Sequence, residues 1–203
     1  MARIGIFSGT FDPVHNGHLA FALAAVQAGL VARVVFLPEP KPRAKQQVTP
    51  LPHRSAMLRQ ALVSYPTLES LELNGDRFSA VETLPQLADL FPGDQLSLLL
   101  GSDVVETFAY RWPGLERLLG TMELLIAVRS RETRRQVEGQ MRSLQQVYGG
   151  VTLRYSFVDV AKHSDVASSQ IRDALGVMPA LPPEVTGYIN RHGLYASKAE
   201  ASV

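Results

Sequence analysis

Short apolar runs alternate with helix-like segments along most of the 203-residue chain, and this alternation constrains the fold more than any other feature. The predicted strands cover residues 4–7, 33–37, 68–71, 95–100, 124–128 and 151–157. The predicted helices begin at His18, Pro52, Val81, Gly114, Thr133, Ser168 and Pro183. Repeated strand–helix order favours a parallel sheet with helices on both faces and right-handed crossovers. The sequence therefore predicts a single-domain, doubly wound α/β fold over residues 1–203, with a flexible tail after about residue 196.

A doubly wound sheet binds ligands beyond the carboxyl ends of its strands, where the strand order reverses. Three predicted connections can meet there: the loop after the first strand, the loop 101–103 and the turn at Ser168. The proline-rich segment 38–52 is a long connection, and neither side of it forms an independent core. We therefore expect this segment to be a mobile flap on the substrate side and not an interdomain linker.

The connection after the first strand, residues 9–18, has the sequence GTFDPVHNGH. Gly9 allows the backbone to approach a ligand closely, and Pro13 fixes the turn. Gly17 leaves room above the first free amides of the following helix. Because helix amino termini bind phosphate, the sequence predicts a phosphate-binding loop here.

Two histidines, His15 and His18, can lie side by side on the first turn of that helix, and both can donate hydrogen bonds. Fixed donors stabilise the negative charge that develops when a triphosphate is cleaved. The alternative is that both histidines cap the helix and face solvent. Their position directly after GTFDP at the end of the first strand favours the catalytic interpretation. A zinc site is not expected, because zinc needs further ligands and the chain has no cysteine.

This loop resembles the signature of the HxGH nucleotidyltransferases, which have a Rossmann-like fold. The matching residues are Thr10, His15, Gly17 and His18. A second element of that superfamily is a Ser/Thr-rich turn before a helix that carries an arginine, and residues 168–172, SSQIR, are similar to it. Ser168 can cap such a helix, whose free amides meet terminal phosphates together with the Arg172 guanidinium. The alternative for this turn is an ordinary capped surface helix.

Further segments resemble the bacterial nicotinate-nucleotide adenylyltransferases and follow one another in the same order as in that family. They are residues 49–58, 81–84, 98–103, 112–119, 185–189 and 192–195. The resemblance implies that Trp112 stacks on a pyridine ring, and that backbone amides of two neighbouring loops hold the nicotinate carboxylate. Ser79 and Ala80 stand where relatives usually have tyrosine and threonine, and Pro113 has no N–H to donate. We therefore expect a weaker preference for the acid over the amide acceptor than is usual in the family.

The function implied by this resemblance is adenylyl transfer from ATP to nicotinate mononucleotide, giving deamido-NAD and pyrophosphate in NAD biosynthesis. His15, His18 and Arg172 are the expected catalytic residues. The expected ATP-binding residues are Gly9, Thr10, Phe11, His15, Gly17, His18, Gly101, Asp103, Ser168, Ser169 and Arg172. The expected acceptor-binding residues are Ser79, Ala80 and Trp112. Mg²⁺ is expected to bind with the ATP phosphates without a dedicated protein site, because it usually keeps several waters.

Composition limits the partners. The 20 Lys and Arg residues nearly balance the 19 Asp and Glu residues, so the formal net charge is +1, which argues against nucleic-acid binding. The lack of cysteine excludes disulfides and thiolate nucleophiles. The sequence shows no basic signal region and no run of membrane-spanning length, so we expect a cytoplasmic protein without a membrane partner. Formation of a homo-oligomer stays open.

Three alternative functions also stay open. A sister adenylyltransferase would use another acceptor, such as nicotinamide mononucleotide or phosphopantetheine. A cytidylyltransferase would share the histidines but differ in the nucleotide. A nucleotide-binding paralogue without turnover is suggested by the departures at Ser79, Ala80, Pro113 and Gln170.

Overall fold

The computed structural model of the chain describes residues 1–42, 48–128, 133–160 and 180–195. Its strands are β1 (Arg3–Gly9), β2 (Arg33–Pro38), β3 (Leu68–Ser70), β4 (Gln95–Gly101), β5 (Glu123–Ala127) and β6 (Tyr155–Phe157). Its helices are α1 (Asn16–Gln27), α2 (Leu51–Leu62), α3 (Thr83–Leu90), α4 (Ser102–Thr107), α5 (Leu115–Thr121), α6 (Arg134–Val147) and α7 (Pro183–His192). A 3-10 turn, Phe108–Tyr110, follows α4. The predicted alternation of strands and helices is confirmed over these ranges.

The strands form one sheet in the order β3-β2-β1-β4-β5-β6, and every pair in it is parallel. The order reverses between β1 and β4, where Ile6 lies beside Val35 on one side and Leu98 on the other. This is a doubly wound, Rossmann-like sheet, as predicted. The reversal leaves a crevice at the carboxyl ends of β1 and β4, where ligands bind in such sheets.

Alternating side chains of the strands feed two separate cores, one on each face of the sheet. In β2, Val34 and Phe36 join one core, while Val35 and Leu37 join the other. The first core includes buried residues of α1, α2 and α7, and the second includes those of α3, α4, α5 and α6. Since both faces are buried, the central strands β1, β2, β4 and β5 are largely apolar, as parallel strands between two helical layers should be.

The structure corrects the predicted loop 101–103. Ser102 begins α4 directly after β4, and Gly101 is the extended residue before it, with φ −76° and ψ 155°. A six-residue helix that contains two β-branched valines is too short to show a helical period and has low intrinsic propensity. Val105, 1% exposed, packs into the second core, and this tertiary contact stabilises the helix.

Other boundaries also differ from the predictions. The strand predicted over 151–157 is limited to β6, because the Leu153 N–H donates to the Gln145 side chain (3.0 Å) and not to a neighbouring strand. Helix α1 begins at Asn16, two residues before the predicted start, and α3 begins at Thr83, two residues after it. The predicted helix from Ser168 and the tail after 196 lie outside the described residues. None of the helices in the described ranges is long and apolar enough to cross a membrane.

Candidate active site

A cavity of about 440 Å³ lies at the carboxyl ends of β1, β4 and β5, within the usual size range of small-ligand sites. Six residues predicted from the first loop line it: Gly9, Thr10, Phe11, His15, Gly17 and His18. Gly101, Asp103 and Trp112 line it as well. The fold thus gathers residues from both sides of the strand-order reversal around one cavity.

The loop between β1 and α1 has a strained and closely packed backbone. Phe11 adopts φ 48°, a left-handed conformation that is costly for a side chain with a Cβ, yet its ring is only 2% exposed. The ring lies perpendicular to Phe7 with centroids 5.5 Å apart. A Cβ on Gly9 would lie 3.1 Å from Phe11 Cζ, so Gly9 makes room for this ring as well as lining the cavity. Tertiary packing therefore holds a conformation that the isolated loop would avoid.

Buried hydrogen bonds of Asp12 hold the same loop in place. It is 1% exposed, and its Oδ1 accepts a hydrogen bond from the Tyr195 hydroxyl (2.6 Å). Its Oδ2 accepts from the Thr49 N–H (3.3 Å). A buried carboxylate must be hydrogen-bonded to be stable. Asp12 therefore ties the β1–α1 loop to the segment before α2 and to the segment after α7.

Arg54, on the first turns of α2, is completely buried and braces the loop from another side. Its guanidinium donates to three main-chain carbonyls: Nε to Thr49 (2.7 Å), Nη1 to Thr10 (2.6 Å) and Nη2 to Pro40 (3.2 Å). Burial lowers the pKa of Arg54, while the nearby Asp12 carboxylate acts in the opposite direction. Because one rigid fork contacts three chain segments, Arg54 positions Thr10 relative to both ends of the 38–52 connection.

The two histidines are stacked at the start of α1. Their ring centroids are 3.6 Å apart and the planes differ by 25°. His15 is the residue before the helix and is 4% exposed. The His15 N–H donates to Nδ1 of His18 (3.2 Å). Since this Nδ1 accepts a hydrogen bond, the proton of the neutral His18 ring is on Nε2, which makes Nε2 a donor.

The contacts of the histidine pair fit both a helix-capping role and a place in the cavity wall. His18 satisfies the amide of His15, as a capping residue does, and the pair also lines the cavity. The alternative that both histidines cap the helix and only meet solvent does not fit the burial of His15. The side-by-side placement predicted from the sequence is confirmed by the stacking.

Trp112 lines the cavity from the turn between the 3-10 turn and α5. Its ring is perpendicular to that of Phe108, with centroids 5.1 Å apart. Ser79 and Ala80 are not among the residues that line the cavity. The Ser79 N–H donates to Thr83 Oγ1 (3.0 Å), and Ala80 is buried in the second core. Their expected role in acceptor binding stays a prediction, as do the roles of Ser168, Ser169 and Arg172, which lie outside the described residues.

Sequence reasoning missed two charged residues of the cavity, Glu39 and Arg77. Glu39 follows β2, and its Oε1 accepts from the Ser8 hydroxyl (3.1 Å) and the Phe78 N–H (3.2 Å). It also missed the bracing residues Asp12, Arg54 and Tyr195. The signal for Arg54 was present, since it occupies an inward position of α2 among apolar residues. The described ranges contain no group of three or more His, Asp or Glu side chains placed to hold a metal ion.

A sequence model of the cytidylyltransferase-like family matches residues 6–174, which is most of the chain. The fold, the stacked histidines and this match define the chain as a member of that class of nucleotidyltransferases. Among sequence relatives, the probable nicotinate-nucleotide adenylyltransferase of Carboxydothermus hydrogenoformans is 30% identical over 198 residues, which cover 96% of this chain and 98% of the relative. The corresponding protein of Neisseria meningitidis serogroup A is 33% identical over 206 residues, covering 96% and 99%. The chain therefore belongs to the nicotinate-nucleotide adenylyltransferase family, as the sequence resemblance predicted.

The fold is also similar to solved structures. A nicotinic acid mononucleotide adenylyltransferase of Plasmodium falciparum, complexed with NaAD, has a TM-score of 0.76 and 17% sequence identity, covering 96% of this chain and 98% of that chain. At this level of identity the likeness is one of fold. It confirms the Rossmann-like architecture along nearly the whole chain.

Proposed function

We propose that this chain transfers the adenylyl group of ATP to nicotinate mononucleotide, forming deamido-NAD and pyrophosphate in NAD biosynthesis. Membership of the nicotinate-nucleotide adenylyltransferase family supports this assignment. The observation that carries it is the stacked histidine pair at the start of α1, inside a cavity at the strand-order reversal. Such a place suits a polyphosphate, because the amino-terminal residues of α1 line the cavity.

The reaction needs no covalent intermediate. A 5′-phosphate oxygen of the mononucleotide attacks the α-phosphorus of ATP, a new P–O bond forms, and the bond to the β-phosphate breaks with loss of pyrophosphate. Negative charge spreads over the oxygens of the attacked phosphorus in the transition state. Catalysis then consists of positioning the two substrates and stabilising this charge with donors that are already in place.

His18 is the residue best placed for that stabilisation. Because the His15 N–H donates to Nδ1 of His18, Nε2 is the donor nitrogen of the neutral ring, and we assign it to an oxygen between the α- and β-phosphates. Thr10 and His15 are assigned to the α-phosphate region. Gly9, Phe11 and Gly17 shape the wall around it, and Gly101 and Asp103 form the opposite wall at the end of β4.

The outgoing β- and γ-phosphates are assigned to Ser168, Ser169 and Arg172 on the strength of the sequence alone. Mg²⁺ bound to the ATP phosphates would neutralise part of their charge. Asp103 lines the cavity and stays assigned to nucleotide binding, while Mg²⁺ would be held by the phosphates and by water.

The pyridine ring of the acceptor is assigned to Trp112, whose aromatic ring lines the same cavity. Stacking of a base on an aromatic side chain commonly contributes about 1–3 kcal/mol. Ser79 and Ala80 remain predicted acceptor residues, through the loop that they share with the start of α3. Cytoplasmic location and the oligomeric state also remain predictions.

The direct test is pyrophosphate release with ATP or CTP and a panel of acceptors. We expect ATP with nicotinate mononucleotide to give the highest kcat/KM, followed by nicotinamide mononucleotide. Highest kcat/KM with phosphopantetheine or with CTP would assign the chain to a sister enzyme. Tight ATP binding without pyrophosphate release from any pair would make it a nucleotide-binding paralogue.

A further inference from the structure

Arg77 is the one arginine or lysine among the cavity-lining residues of the described ranges. The acid next to it in sequence, Asp76, is already engaged: Lys41 Nζ lies 3.2 Å from its Oδ1, and the Lys41 N–H donates to its carbonyl oxygen (2.6 Å). None of the ion pairs found among the described residues involves Arg77. The Arg77 guanidinium therefore brings a positive charge to the cavity wall and forms none of the ion pairs found in these ranges.

The segment that carries Arg77 touches the turn that carries Trp112. A Cβ placed on Gly114 would lie 3.2 Å from Ala80 Cβ and 3.3 Å from the Val81 nitrogen. Gly114 has φ 74°, so the turn combines a left-handed backbone with this close approach. Arg77 and Trp112 thus line the cavity from two neighbouring segments.

Three backbone positions of the same two segments do not offer a donor to a ligand. The Phe78 N–H already donates to Glu39 Oε1 (3.2 Å), and the Ser79 N–H donates to Thr83 Oγ1 (3.0 Å). Pro113 has no N–H. An anionic group bound here cannot rely on these amides, because each is engaged within the chain or missing. A side-chain donor on the same segments would compensate for these three positions.

We infer that Arg77 binds the carboxylate of the nicotinate ring and thereby selects the acid over the amide acceptor; this rests on the proposed function. A guanidinium presents two parallel N–H donors that match the two oxygens of a carboxylate. A carboxamide is neutral and offers only one oxygen, and its NH₂ group would face the donors of Arg77. The carboxylate of Glu39 is also on the cavity wall and would repel a second anion, so a compensating cation on the same wall is needed.

The test compares kcat/KM for nicotinate and nicotinamide mononucleotide at saturating ATP. The proteins are the full chain, Arg77→Ala, Arg77→Lys and the control Lys41→Ala. Lys41 is a matched control, because it is a nearby exposed cation that pairs with Asp76 and does not line the cavity. Calorimetric titration of each mononucleotide, with a non-hydrolysable ATP analogue present, gives the same comparison without turnover.

We expect Arg77→Ala to lower kcat/KM for the acid roughly tenfold to a hundredfold, the usual scale for a charge-assisted hydrogen bond. The kcat/KM for the amide should change less than about twofold, because the contacts that both acceptors share are retained. Arg77→Lys should fall between, since it keeps the charge and loses the fork. Lys41→Ala should leave the ratio unchanged.

Two results would overturn the inference. Equal losses for both acceptors would place Arg77 on the phosphate that they share, and unchanged values for both would remove it from the site. Failure of the proposed function gives a different result, since the unmodified chain would then prefer an acceptor other than a pyridine mononucleotide. Because Arg77 is exposed, its substitution should not affect folding, and the thermal midpoint verifies this.

Discussion

The β1–α1 loop and the segment 73–80 both contribute to the cavity, but they are built differently. In the loop, Phe11, Asp12, Val14 and His15 are all buried, and Asp12 and Arg54 connect it to distant parts of the chain. In the segment 73–80, residues 74–77 are exposed. The contacts of residues 74–77 are surface ones, such as the Lys41–Asp76 ion pair and the bonds between Asn74 and Gln86.

This difference corresponds to two different tasks. Transition-state stabilisation requires donors that do not reorganise, so the histidines belong on a segment fixed by buried contacts. Acceptor recognition needs access and adjustment, which exposed segments with few buried contacts allow. We therefore expect substitutions in the loop to lower kcat or stability, and substitutions on the acceptor side to change acceptor specificity.

The largest expected effect is on the catalytic side. His18→Ala should lower turnover about a hundredfold or more, the usual scale for losing a fixed transition-state donor. It also removes the acceptor for the His15 amide, which should cost about 1 kcal/mol of stability, as the loss of a helix cap does. His15→Ala should lower turnover on a similar scale. Turnover and the thermal midpoint are measured on the same samples.

The matched control is His192→Ala, since His192 is an exposed histidine at the end of α7 that does not line the cavity. Its turnover should stay within about twofold of the parent, as for most surface substitutions. If the His18 variant keeps full turnover, or loses it only where the protein unfolds, the catalytic assignment is wrong.

The buried contacts that hold the β1–α1 loop can be weakened without changing the histidines. Arg54→Met leaves three carbonyl oxygens without their donor in a buried site and should lower the free energy of unfolding by about 3 kcal/mol. Because Thr10 loses its brace, KM for ATP should rise more than KM for the acceptor. Urea unfolding and steady-state kinetics measure both quantities.

Arg59→Met is the control for that experiment. Arg59 lies on the same helix with 61% of its side chain exposed, and its Nη1 is 3.6 Å from Glu72 Oε1. Its loss should change stability by less than about 0.5 kcal/mol. Similar destabilisation by both substitutions would show that the three hydrogen bonds of the buried Arg54 guanidinium do not stabilise the fold.

On the acceptor side, Trp112→Ala should raise KM for the mononucleotide about tenfold, within the range expected for loss of one stacking contact. KM for ATP should hardly change, and Trp112→Phe should recover most of the affinity. Tyr110→Ala serves as the control, because Tyr110 is a neighbouring aromatic residue that is 81% exposed and absent from the cavity wall. Unchanged acceptor KM in folded Trp112→Ala would leave Trp112 with only its packing role against Phe108.

The smallest expected effect is that of Pro113→Ala. Restoring an N–H next to Trp112 should increase the preference for the acid acceptor about two- to tenfold, the range of one ordinary hydrogen bond. The specificity ratio for the two mononucleotides measures it, and Pro92→Ala provides an exposed proline outside the cavity wall for comparison. An unchanged ratio would mean that position 113 does not contact the acceptor.

Most of the fold could be predicted because its signals are local. Apolar runs for β1, β2, β4 and β5 matched the structure closely, since strands buried on both faces must be continuously apolar. Helix α4 was missed because its stability comes from packing of Val105 and not from its own sequence. The GTFDPVHNGH segment was also placed correctly between the first strand and the first helix, because strand, turn and helix signals follow one another within a few residues.

By itself, the sequence determined the α/β class, the family and the position of the histidine pair, because each depends on residues close together along the chain. Only the tertiary structure decided which distant residues join them. Arg54 reaches Thr10 across 44 positions and Tyr195 reaches Asp12 across 183, contacts that no periodicity encodes. Glu39 and Arg77 enter the cavity for the same reason, since parallel strands bring their carboxyl ends to one edge of the sheet whatever their separation along the chain.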